Sequence, residues 1–143
     1  MLQDVIRAIL EAYYEPQFSE HAHGFRRGRG CHTALREITT HWKGVKWFIE
    51  DNIVQYFDSL DHAVMLAILR EQLHDQRFLR LLAQLLQAGY MEEWRFHATL
   101  SGVLQGGVIS PILSNIYLDR LDQFVETVLL PAYNRGRSIY RDL

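Results

Sequence analysis

The chain has 143 residues, 48% of them apolar, and a formal net charge of −2 at neutral pH: one domain's length, with enough apolar residues to bury a core. The near balance of charge excludes a domain that holds nucleic acid by bulk basicity, so local charge has to be read instead. Cys31 is the single cysteine and excludes an internal disulfide framework; no apolar run approaches the roughly 20 residues of a membrane span and no secretory signal precedes the first helix, so a soluble cytoplasmic protein is expected, or an organellar one if the source is eukaryotic.

Residues 2–14 place Val5, Ile6, Ile9, Leu10 and Tyr13 at helical spacing, opposite Asp4, Arg7 and Glu11. An amphipathic helix is predicted, ended by Pro16 because proline disfavours helical geometry in the residue before it. Residues 18–32 read as a polar loop around Gly24-Phe25-Arg26-Arg27-Gly28-Arg29-Gly30. Three forked guanidinium groups on a glycine-rich backbone suit a phosphate chain; a solvated turn before a helix fits equally well. Residues 31–42 form a second predicted helix, with Ala34, Leu35, Ile38 and Trp42 on one face. His21, His23, Cys31 and His32 match no zinc spacing and are read as ordinary polar positions.

After Gly44, residues 47–52 are rich in aromatic and β-branched types, which predicts a strand. Its period of two puts Phe48, Glu50 and Asn52 on one face and Trp47, Ile49 and Asp51 on the other. The segment runs into Tyr56-Phe57-Asp58-Ser59-Leu60-Asp61-His62. Asp58 or Ser59 can cap a helix over 63–73, and Asp61 and His62 are read as capping and turn residues. A further helix carries Phe78, Leu79, Leu81, Leu82, Leu85 and Leu86, with Asp75 as N-cap and Gly89 as C-cap.

Residues 91–102 alternate loosely and predict a strand or hairpin arm. Gly102-Val103-Leu104-Gln105-Gly106-Gly107-Val108-Ile109-Ser110-Pro111 follows. The double glycine lets backbone approach a ligand, and Ser110-Pro111 opens a helix with an N-cap and a proline at its first position. That helix runs through Leu113, Ile116, Tyr117, Leu121, Phe124 and Leu129. Residues 131–143 are read as a basic tail carrying Arg135, Arg137 and Arg141.

Three of these stretches, in this order, resemble the reverse transcriptases encoded by group II introns. The loop matches a Ser-x-x-x-Gly-Phe-Arg-x-Gly-Arg pattern through Ser19, Gly24, Phe25, Arg26, Gly28 and Arg29, with Arg27 where proline is usual. Residues 47–62 resemble the first palm motif, an apolar strand followed by Asp-Ile, Phe-Asp and Asp-His. Residues 102–111 resemble Gly-x-Pro-Gln-Gly-x-x-x-Ser-Pro, with Leu104 where proline is usual.

The resemblance implies a fold and a set of roles. The expected architecture is α+β: part of the fingers and palm of a polymerase right hand, mostly helical with a small antiparallel sheet. The position of the family's metal-binding aspartate is Asn52, and Asp51 stands where the family has a small residue. Asp51 cannot replace the lost carboxylate, because it lies on the other face of the strand. Asparagine offers one neutral oxygen where Mg²⁺ prefers a carboxylate, and the lost charge is worth on the order of several kcal/mol. Tyr56 and Phe57 resemble residues beneath the incoming sugar, although both also suit a core. Gln105, Gly106 and Gly107 would meet nucleotide and template, while Arg26, Arg27 and Arg29 would contact RNA phosphates.

Family members use Mg²⁺, dNTPs and an intron RNA template. A Tyr-Ala-Asp-Asp strand would follow in the family, and none occurs in these residues. No expected metal carboxylate is therefore intact. The chain alone is expected not to polymerise DNA unless a second chain completes the site. An RNA-binding or docking module, or a decayed remnant, is the alternative.

Overall fold

A computed structural model describes residues 1–46, 48, 50, 52–53, 56–88, 90–92, 95–97 and 107–139. Helix α1 (Leu2–Tyr14) leads through a 3-10 turn (Glu15–Gln17) and the arginine loop to α2 (Cys31–His41). The short α3 (Tyr56–Ser59) precedes α4 (His62–Gln72) and α5 (Gln76–Gln87). Strands β1 (Tyr90–Glu92) and β2 (Arg95–His97) pair antiparallel, Tyr90 opposite His97 and Met91 opposite Phe96. Helix α6 (Ser110–Phe124) then passes through a π-helical turn (Val125–Leu129) into α7 (Leu130–Ile139).

The α+β expectation is corrected by this arrangement, which is that of a mostly helical fragment. The expected central strand is not seen where it can be assessed. Phe48, Glu50 and Asn52 carry no strand pairing, and Trp47, Ile49 and Asp51 lie outside the described residues. Alternating side chains make a segment fit for a sheet but supply no partner for its backbone. The pairing of β1 with β2 is three residues long, far short of a sheet that could carry a domain.

Helix packing builds the core. Helix α1 buries Ile6, Leu10 and Tyr14, one residue per turn, against Met65 and Leu69 of α4, Leu79, Leu82 and Leu86 of α5, and Ile112, Leu113 and Ile116 of α6. Each such aliphatic side chain stabilises the fold by roughly 1.5–3 kcal/mol relative to exposure. The rest of the expected α1 face turns outward: Val5, Ile9 and Tyr13 are 58%, 49% and 44% exposed. Helix α2 contributes no buried residue, and its apolar face of Leu35, Ile38 and Trp42 is open to solvent.

Local signals set the helix ends. Asp61 caps α4, its Oδ1 accepting from the amides of Ala63 and Val64 at 2.7 and 3.0 Å. Of the expected capping residues it is thus Asp61, rather than Asp58 or Ser59, that holds the end, because an N-cap oxygen reaches amides two and three residues on. Asp75 caps α5 in the same way, at 2.8 and 3.2 Å. The C-cap of α5 is Ala88, and Gly89 lies outside the described residues. Ser110 is the first residue of α6, with Ile109 in the cap position, so the expected Ser110 cap shifts by one.

The expected basic tail is helical as far as Ile139. Pro131 has no amide hydrogen and its ring crowds the carbonyl four residues back. The wider π turn just before it opens that space, and the Leu130 amide donates to the Val125 carbonyl, five residues back.

Candidate nucleic-acid interface

The arginine loop is built around Arg26, whose side chain is 6% exposed. Its Nε donates to Glu15 Oε1 at 2.9 Å, Nη1 to the carbonyls of Ser19 and Ala22 at 2.6 and 2.9 Å, and Nη2 to the Glu15 carbonyl at 3.2 Å. The guanidinium carbon lies 5.5 Å from the centre of the Phe18 ring. Four of the five N–H donors of a guanidinium are thus engaged within the protein. Arg26, expected to contact RNA phosphate, is held by the loop's own acceptors and pins its shape. Arg27 is exposed, and Arg29 is half-buried with Nη1 donating to the Glu20 carbonyl.

Two neighbouring residues complete the loop's shape. Gly28 has φ +73° and Phe25 has φ +54°, both in the left-handed region. The Gly24 carbonyl accepts from Asn115 Nδ2 of α6 at 2.9 Å. Between loop and helices lies a cleft of about 340 Å³, lined by Ala8, Glu11, Ala12, Glu15 and Pro16 along α1 and the turn after it, by Ile112 of α6, and by Phe25 and Arg27.

A carboxylate network ties the loop to α2, to α6 and to the π turn. His21 Nδ1 and His23 Nε2 both meet the Glu37 carboxylate, the latter at 2.8 Å. These contacts, His21's first, hold the Glu37 carboxyl below its usual range. Ser19 Oγ donates to Glu126, and the main chain of Ser19 is near Asp119. Burial raises the carboxyls of Asp119 and Asp122, and Asp119 and Glu126 raise Asp122 further. His21 and His23, first read as ordinary polar positions, therefore tie the loop to α2.

The palm-motif residues are placed as follows. Asn52 is exposed, while Asp51 lies outside the described residues. Tyr56 and Phe57 are half-buried against the core, their rings 5.4 Å apart. The Tyr56 hydroxyl donates to the Ser114 carbonyl of α6 at 3.0 Å, and burial raises its pKa. Gln105 and Gly106 lie outside the described residues; the Gly107 carbonyl accepts from the Ser110 amide at 3.2 Å. No described helix is long and apolar enough to cross a membrane.

The model of the reverse transcriptase (RNA-dependent DNA polymerase) family matches residues 1–140. The chain belongs to this family. It is 47% identical to an uncharacterized 91 kDa protein in the cob intron of Schizosaccharomyces pombe, over 90% of the chain and 16% of that protein. It is 44% identical to the group II intron-encoded protein LtrA of Lactococcus lactis, over 87% of the chain and 21% of LtrA. Protein YkfC of Escherichia coli is 34% identical over 98% of the chain and 38% of its own length. The chain thus corresponds to a segment of the reverse transcriptase domain of group II intron-encoded proteins, and spans about a sixth to a fifth of the first two relatives.

Reverse transcriptases generally use Mg²⁺, and the family generally binds intron RNA. The described residues do not fit the ion. Among them no group of three or more His, Cys, Asp or Glu could hold a metal, and Asn52 offers a single neutral oxygen. Sequence reasoning missed Glu15, Asn115 and Glu37, which shape the loop. None has a local signal, since each acts on a residue ten or more positions away in the chain.

Proposed function

We propose that this reverse transcriptase segment binds RNA through the loop presenting Arg27 and Arg29, and that nucleotidyl transfer is impaired by Asn52. The loop carries the reading. Arg26 holds the backbone in one shape from inside, leaving exposed Arg27 to meet phosphate without first ordering the segment. Asn52 supports the second half, because a two-metal centre needs carboxylate oxygens to fix its ions while they stabilise attacking and leaving groups. dNTPs and a complete polymerase site would belong to the longer protein of which such a segment is part.

Primer extension on an RNA template with Mg²⁺ tests the reading. The chain is compared with a version carrying Asn52→Asp and Leu104→Pro and extended by the Tyr-Ala-Asp-Asp segment of its relatives. The chain gives no extended product and the restored version gives one. Extension by the unaltered chain would sink the proposal that Asn52 impairs the chemistry.

A further inference from the structure

We infer that Phe25 is a stacking platform for an unpaired nucleobase, with Arg27 on the adjoining phosphate. The inference deepens the RNA-binding reading above and rests on it.

Conformation is the first observation. A bulky residue at φ +54° is a genuine outlier, and such strain persists only where the surroundings over-determine it. Gly24, directly before it, could adopt that geometry freely, and a Cβ there would meet nothing within 4 Å. The loop nevertheless gives the left-handed position to phenylalanine. Both sides of Phe25 are anchored: the Gly24 carbonyl by Asn115, and Arg26 by Glu15, Ser19 and Ala22.

Exposure is the second. The ring is 70% exposed, so the strained geometry brings almost no burial in return. It lines the cleft with Arg27, and the carboxylates there are paired: Glu15 with Arg26 at 2.9 Å, and Glu11 with Arg7 at 3.6 Å. An exposed guanidinium beside an open aromatic face matches how single-stranded nucleic acid is held, by stacking on rings and by charge along the backbone. A duplex keeps its bases stacked on each other and has no free face to offer.

The test is fluorescence anisotropy with a labelled single-stranded RNA and with the same sequence as a duplex, across a salt series. Wild-type chain is compared with Phe25→Ala, Phe25→Trp and Arg27→Ala, each checked by thermal melting. The proposal expects Phe25→Ala to weaken single-strand binding by roughly 5- to 100-fold with an unchanged salt slope. Phe25→Trp restores affinity. Arg27→Ala flattens the slope by about one phosphate contact, and the melts of the Phe25 variants match wild type because the ring is exposed.

Wild-type affinity retained by Phe25→Ala while Arg27→Ala binds more weakly overturns the stacking role and leaves the RNA-binding reading standing. Equal loss on duplex and single strand also overturns it, since the ring would then be a general docking surface. No salt-dependent binding by the wild-type chain overturns both readings.

Discussion

Arg26 and Phe25 are adjacent in the chain, yet one is sealed under the loop and the other stands in solvent. Removing the Arg26 side chain leaves the carbonyls of Ser19, Ala22 and Glu15 without their donor and the Glu15 carboxylate without its partner. Arg26→Ala is therefore expected to destabilise the fold by about 2–3 kcal/mol, read from urea unfolding. Arg26→Lys recovers little of it, because an ammonium cannot present a planar fork to acceptors spread over three residues. The cluster of arginines and the loop that carries it were legible in the sequence. Which arginine turns inward was not: positions 26, 27 and 29 offer the same side chain, and the choice is made by carbonyls that only the folded turn assembles. The strain at Phe25 was equally hidden, since glycines on all sides gave the turn easier places to bend.

Helices α1, α4, α5 and α6 were legible because apolar periodicity and an acidic cap are local properties. Caps at Asp61 and Asp75 fall within a turn of the residues they serve. The expected central strand fared differently, because pairing depends on another segment. Helix α6 shows a conflict that periodicity does not report: Asp119, Asp122 and Glu126 share the side facing Ser19 and His21. The Asp122 carboxyl is raised above its ordinary value of 3.8, chiefly by burial and then by Asp119 and Glu126. A carboxyl raised in the folded state binds its proton more tightly there, so stability declines as pH climbs through 3.8 toward the raised value. Asp122→Asn removes that penalty. It is expected to raise the thermal midpoint at pH 7, with the gain vanishing below about pH 3.8 in melts across that range. Glu37 runs the other way: its lowered pKa gives stability that is present above 4.5 and lost as pH falls through the lowered value.

Across the whole molecule, apolar rows stand open on several sides. Leu35, Ile38 and Trp42 line α2, Val5, Ile9 and Tyr13 line α1, and Leu121, Phe124 and Val128 line α6 and the π turn after it. Periodicity marks such rows as faces to be covered but does not say by what, and α2, predicted as a helix with one apolar face, leaves that face open. With a net charge of only −2, little repulsion keeps copies apart. The isolated chain is expected to self-associate, its weight-average mass in sedimentation rising with concentration. Ile38→Lys combined with Phe124→Lys should hold it monomeric; an unchanged mass profile would remove the apolar rows as the cause. The π turn shapes these rows too. Each helical residue advances about 100° around the axis, and a π turn adds one residue to the winding. In an unbroken α-helix Leu130 would stand about half a turn from Leu121; the wider winding of the π turn, with fewer degrees per residue, brings it to about a quarter-turn. A single flat surface therefore cannot cover both rows, and deleting one residue of the π turn would leave them about as far apart, because the wider winding absorbs the extra residue.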